Sequence, residues 1–282
     1  MLTKYYIVEF GWRYIFIAAG VITLVMFFIS LKALPESIEY LLYKKPQNAL
    51  QRLNHLLKKM QIETLEALPE LELKTEAKGS FKLLLSSQYI RQTVLLWFAM
   101  FFILFGFYFI LGFTPKIIAA SGLSNEQSIQ IGMMVSLGAI VGSIILGVLT
   151  TKIGLFKSLM AFLICNAISM ICFVALSNVL TFMIVFGIAL GMFVAGSLAG
   201  TYSTTMNVYD ANMRSTGLGV ATGVGRLGGI SSPITAGYLL DQGIPALTLY
   251  GYFALIFVFA ALAIFVLYRM INRQPQLTAQ TS

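Results

Sequence analysis

Seven stretches of mainly apolar residues lie near 14–34, 92–114, 128–149, 158–178, 180–205, 214–239 and 246–268. Each has about 20 residues, the length an α-helix needs to cross the hydrocarbon core of a bilayer. Within hydrocarbon every backbone N–H and C=O must pair inside the protein, which leaves the helix as the fold open to such runs. Composition agrees: 58% of the residues are hydrophobic and 11% are charged, against roughly 25% charged in a soluble domain. The expectation is an all-α membrane protein with seven transmembrane helices in the lipid bilayer. The first run starts behind Lys4 and Arg13, as a secretory signal would. Its apolar core extends from Tyr14 to Leu31, longer than the about 7–15 residues of a signal core, so it reads as a span.

The net charge is +8, but the basic residues cluster between and beside the apolar runs. That is the pattern of membrane topology, and it argues against nucleic acid as a partner. Threading the runs alternately puts fifteen of the nineteen Lys and Arg residues on one side: ten in 32–91, then Lys152, Lys157, Arg214, Arg269 and Arg273. Lys4, Arg13 and Lys116 fall on the other. Basic loops stay in the cytoplasm, so the N-terminus is expected outside and the C-terminus inside. Residues 35–90 then form the one large cytoplasmic loop. Leu50, Leu53, Leu57 and Met60 recur in it at helical spacing, which predicts an amphipathic helix. Glu63, Glu66, Glu70, Glu72 and Glu76 follow in a solvated linker. Residues 91–268 hold six spans and 269–282 a cytoplasmic tail.

Arg226 lies in the middle of an apolar, glycine-rich run. A charge at bilayer depth costs from about 3 to above 10 kcal/mol, so it faces a cavity or a partner and marks a functional path. Gly225, Gly229, Pro233 and Gly237 recur every four residues, so they share a helix face on which a neighbouring helix can approach closely. In the preceding run Gly187, Gly191, Ala195 and Ala199 share a face, and Gly196 and Gly200 form a second small-residue patch. Cys165 and Cys172 are seven residues apart in one run, about 10 Å along a helix, too far for a disulfide. The single His55 has no second ligand of its kind, so neither a metal nor a cofactor is called for.

Four segments together carry a family resemblance. Gly11-Trp12-Arg13 opens a span that closes with Leu34-Pro35-Glu36-Ser37. Leu96-Trp97-Phe98 leads through Gly106-Phe107-Tyr108-Phe109 to Thr114-Pro115-Lys116. Gly147-Val148-Leu149-Thr150-Thr151-Lys152-Ile153-Gly154 follows the Gly-x-x-x-Asp-Arg-x-Gly pattern with Thr151 at the acidic position. The block from Arg214-Ser215-Thr216-Gly217 to Gly237 is the most specific. The chain resembles the C-terminal part of a major facilitator superfamily transporter, and within it the aromatic acid:proton symporters. The resemblance implies spans six to twelve of a twelve-span fold, with residues 1–34 as the outer segment and sixth span. It also implies a missing N-terminal half, a bacterial cytoplasmic membrane, and a small organic acid and a proton as cargo. Arg214, Gly147, Lys152 and Gly154 would serve gating or helix packing. Thr151 stands where that pattern carries the acid of a cytoplasmic latch.

For Arg226 two roles stay open. Its planar fork suits a carboxylate, and it could equally hold backbone carbonyls or an acid of the missing half. Trp97, Phe101, Phe105 and Tyr108 run along one side of their span and could stack on an aromatic ring, or simply pack. Glu126, Asp210 and Asp241 all lie near span ends, so a proton site is expected in the missing half. A sugar or another organic anion is the alternative cargo. A seven-helix receptor fits the topology, but the last span has no lysine for a retinal Schiff base. A membrane enzyme lacks an acid/base or nucleophile cluster. A non-functional truncation product is a further possibility for the chain alone.

Overall fold

The computed structural model describes residues 12–33, 36, 38, 41–42, 45–69, 81–120, 124–177, 179–210 and 213–278. Gly11, Leu34, Pro35, Ser37, Glu70, Glu72 and Glu76 lie outside them. All regular structure in the described residues is helical: α1 (Trp12–Ala33), α2 (Ala49–Lys59), α3 (Phe81–Leu84), α4 (Ile90–Ala120), α5 (Asn125–Ile153), α6 (Leu155–Ala175), α7 (Leu180–Val208), α8 (Arg214–Asp241) and α9 (Thr248–Thr278). The chain divides into two compact units, Met1–Glu76 and Ala77–Ser282. Phe81 of α3 stacks on Trp97 of α4 within the second unit, ring centroids 6.5 Å apart.

In the first unit α1 is apolar on all sides, and Phe16, Ile22 and Leu31 are among its exposed side chains. The predicted amphipathic helix is α2. Its buried face is Ala49, Leu53 and Leu57, packed around Leu41. Leu50 is half-buried and Met60 is exposed, so the buried stripe is rotated from the one expected. Met60 is the C-cap, already past the last helical turn. Arg52 pairs with Glu36 at 2.7 Å on the surface, and Asn54 exchanges two hydrogen bonds with the Leu65 backbone.

The second unit is a bundle of α4 to α9. Within it α5 packs mainly on α7, α4 on α8, and α9 on both α6 and α4. Glycines set the first two contacts. A Cβ at Gly138 or Gly142 of α5 would run into the α7 backbone at Ile188 or Met192, and one at Gly191 of α7 into Val135. A Cβ at Gly196 would meet Phe162 of α6 and the Gly142 carbonyl of α5, and one at Gly200 would meet Leu146 of α5 and Leu159 of α6, so the second small patch of α7 faces both neighbours. Between α4, α6 and α9 lies an aromatic core. Phe109 stacks on Phe253 at 3.9 Å, and the fully buried Tyr250 lies between Phe109 and Phe173. The Tyr250 hydroxyl donates to Thr114 Oγ1 at 2.7 Å, so its burial leaves no orphan donor.

Among the described residues six helices are long and apolar enough to cross a membrane: Phe16–Ala33, Ile90–Pro115, Glu126–Ile153, Leu155–Ala175, Leu180–Val208 and Thr248–Asn272. The run at 214–239 forms α8, 28 residues long, but it is not one of the six. Its glycines, serines, threonines and Arg226 lower its hydropathy. Helices also run past several expected ends: α4 to Ala120 and α9 to Thr278.

Candidate functional site

The site is built where α4 and α8 lie side by side, pointing the same way. Gly225 of α8 sits against Met100 and Leu104 of α4, and Gly229 against the ring of Tyr108. Gly228, which the four-residue stripe passes over, meets the Phe101 backbone carbonyl. At Gly237 a Cβ would meet nothing within 4 Å, and Pro233 is exposed. The expected packing face thus holds for Gly225 and Gly229 and ends there. Two helices that cross separate after a few turns, so a stripe of small residues is used only near the crossing.

This approach brings Arg226 to Tyr108. Arg226 Nη1 donates to Tyr108 Oη at 2.6 Å, the only partner of the guanidinium among the described residues. Arg226 is exposed and Tyr108 half-buried. A guanidinium carries five donors in a rigid fork. Most therefore remain free to hold an acceptor, and the Tyr108 oxygen fixes the direction of the fork.

Beside this pair Met100, Leu104 and Ala221 form a small buried cluster, against which Trp97, Tyr108, Leu198 and Tyr202 pack. Leu198 and Tyr202 come from α7, so three helices contribute. The four expected aromatics separate. Phe105 is 7% exposed and lies in the core at 5.1 Å from Phe253. Phe101 is half-buried, with its ring 6.1 Å from Phe105. Trp97 stacks on Phe81, and its Nε1 is buried without a hydrogen-bond partner. Tyr108 alone of the four meets Arg226. Sequence reading passes over Tyr202, although a tyrosine in an otherwise apolar and small-residue helix is the same signal that marked Tyr108.

The junction between α7 and α8 explains the specific Arg214 block. Tyr209 is wedged against Gly217, where a Cβ would overlap its ring, and its hydroxyl donates to Thr93 of α4 at 2.9 Å. Burial pushes the Tyr209 phenol above its ordinary range, and the Thr93 hydrogen bond offsets part of that rise. Arg214 Nε donates to the Tyr209 carbonyl at 3.3 Å, and the Asp210 carbonyl accepts the N–H of Met213 and Arg214. The Asp210 carboxylate accepts from Tyr89. These bonds tie the start of α8 to the start of α4.

At the α5–α6 turn Gly154 has φ 88° and ψ 156°, a conformation open essentially to glycine. Lys152 is exposed and Gly147 has open space at its Cβ position. The Thr151 hydroxyl donates to the Val148 carbonyl, so the residue at the acidic position is turned onto its own helix. Two cavities lie elsewhere: one of about 310 Å³ beside Pro115 and Gly132, one of about 210 Å³ beside Asp210 and Asn207. Arg226 and Tyr108 line neither; they face the open side of α4 and α8.

The chain is 28% identical to the niacin transporter NiaP of Acinetobacter baylyi over 85% of its own length and 54% of the relative. It is 27% identical to the benzoate transport protein of the same organism, over 84% of the chain and 51% of the relative. With the 4-hydroxybenzoate transporter PcaK of that organism it shares 25% identity over 94% of the chain and 59% of the relative. The chain thus spans about half the length of the curated relatives it matches. The family profile described as Major Facilitator Superfamily matches residues 1–174 and again 96–281, and the chain belongs to that superfamily.

Proposed function

We propose that this chain is part of a secondary carrier for aromatic carboxylates, in which Arg226 holds the carboxylate and Tyr108 orients the arginine. The observation that carries this reading is the single hydrogen bond between Arg226 and Tyr108 on an exposed face midway along α8. Carriers of this type bind substrate near the bilayer midplane between two repeats, and a guanidinium pairs with a carboxylate through two parallel hydrogen bonds. The cargo named for the relatives supports it: niacin, benzoate and 4-hydroxybenzoate share an aromatic ring and a carboxylate.

On this reading α8 also crosses the membrane, poor in hydropathy because it lines the substrate path rather than lipid. Further spans close the open side of α4, α7 and α8 in a twelve-span assembly, and α1 is the sixth. The basic residues of 32–91 stay in the cytoplasm with the C-terminus. A coupling proton is carried by that other half, since Glu126, Asp210 and Asp241 lie at or beyond helix ends here. Without the second wall the 282 residues bind substrate but do not move it across the membrane.

The test is binding of radiolabelled benzoate to the purified chain in lipid nanodiscs. Arg226→Ala should abolish binding, and Arg226→Lys, which keeps charge but loses the fork, should weaken it about tenfold or more. Unchanged benzoate affinity in Arg226→Lys would remove the carboxylate clamp.

A further inference from the structure

The larger cavity, about 310 Å³, lies between α4 near its end and α5 near its start. Its volume falls in the range of about 300–1,000 Å³ typical of small-molecule clefts. It is far larger than the roughly 30 Å³ that one water occupies. Its polarity follows from Pro115, which sits inside α4. A proline has no N–H, so the carbonyl four residues earlier loses its helical donor. That carbonyl belongs to Leu111, and Leu111 and Pro115 both line the cavity. Both also fall in Ile90–Pro115, which is apolar enough to cross a membrane. At such depth an unpaired carbonyl is costly and is met by some neighbouring donor.

The side chains around the cavity supply no such donor. Thr114 and Ser136 carry its two hydroxyls. Thr114 donates to the Ile110 carbonyl and accepts from Tyr250. Ser136 Oγ donates to the Gly132 carbonyl at 3.1 Å. Each hydroxyl proton is therefore used within its own helix. The other lining residues are aliphatic, methionine, proline and glycine, and none of them is charged. Gly132 lets α5 approach the proline, since a Cβ there would lie 3.0 Å from the Pro115 ring. The cavity thus has an apolar wall, a carbonyl without its helical partner, and no side-chain donor of its own.

We propose that this cavity binds a small uncharged molecule with an apolar body and one hydroxyl, a phenol being the simplest case, whose O–H donates to the Leu111 carbonyl. A carboxylate does not suit it, because nothing in the wall donates to the anion or balances its charge. The site therefore differs in ligand class from Arg226 and stands independently of the role given to that residue. A lipid tail would fill the apolar space and leave the carbonyl unpaired. A single water would pair the carbonyl and leave most of the space empty.

The experiment measures binding of 4-fluorophenol and fluorobenzene to the purified 282-residue chain in nanodiscs, read by ligand fluorine NMR against empty nanodiscs. Wild type should bind 4-fluorophenol saturably and more tightly than fluorobenzene. Pro115→Ala supplies the missing N–H to Leu111, so it should weaken 4-fluorophenol about fivefold and leave fluorobenzene unchanged. Alanine also suits a helix interior better than proline, so this variant should be at least as thermally stable as wild type. Ser136 is exposed, so Ser136→Phe can place its ring in the cavity without parting the helices, and it should abolish saturable binding of both probes. Benzoate should not compete with either. Binding no greater than that of empty nanodiscs overturns the proposal, since the cavity then holds only lipid or water. An unchanged ratio of the two affinities in Pro115→Ala overturns the role of the Leu111 carbonyl. Binding that survives Ser136→Phe, or that benzoate displaces, puts the phenol elsewhere and overturns the site.

Discussion

Arg226 stands out in the sequence because a charge inside an apolar run is costly wherever it faces, and Tyr108 because a hydroxyl at depth needs a partner; that the two meet could not be read from the sequence. Phe105 shows where this logic stops. Periodicity puts Trp97, Phe101, Phe105 and Tyr108 near one side of α4, but not on the side that is open. Rotation of α4 about its axis is fixed by α8 and α9, through Gly228 and Phe253, and no pattern within α4 reports it. Tyr209 was visible in the sequence as part of a motif, yet its work became clear only with Thr93 and Gly217 around it. Tyr209→Phe should lower stability by about 1 kcal/mol through the lost Thr93 hydrogen bond, read as an earlier thermal transition in detergent. Gly154→Ala should cost about 1–3 kcal/mol, because φ 88° with ψ 156° is closed to a residue with a Cβ. An alanine variant as stable as wild type would show that the α5–α6 turn can relax at no cost.

At the scale of helices, small residues separate into those that touch and those that do not. Gly138, Gly142 and Gly191 face backbone across the α5–α7 contact, and Gly228 does so between α4 and α8, where Gly225 sits mainly against the Met100 and Leu104 side chains. Close backbone approach of this kind drives association of helices in lipid. Gly191→Leu and Gly228→Leu should therefore lose most folded protein, scored as monodisperse protein in size-exclusion chromatography. Gly147→Ala and Gly237→Ala should fold as well as wild type, since nothing lies within 4 Å of either Cβ position, and alanine favours the helix by about 0.5–1 kcal/mol. The order and type of the helices could be read from apolar run lengths alone. Which glycines carry the contact could not, because the stripe in α8 continues past the point where α4 turns away. The amphipathic stripe of α2 was displaced for a related reason: Met60 carries on the spacing but falls at the helix end.

For the molecule as a whole, the family was legible in a few motifs. Phe81 joins the bundle by stacking on Trp97, an aromatic pair that no composition shift in 35–90 announces. The proposed orientation predicts that Glu66→Cys, in a chain whose Cys165 and Cys172 are replaced by serine, is shielded from an impermeant thiol reagent in intact cells and labelled after lysis. Labelling before lysis would reverse the topology. On the proposed function the Arg226 face of α8 lines a wet path for aromatic acids. Thr222, one turn below Arg226 and half-buried, reports on that face most directly. A Thr222→Cys chain in the same cysteine-free background should react with a water-soluble methanethiosulfonate, and saturating benzoate should slow the reaction several-fold. A cysteine there that is inert to the reagent, or reacts equally fast with and without benzoate, would exclude a wet substrate path along this face.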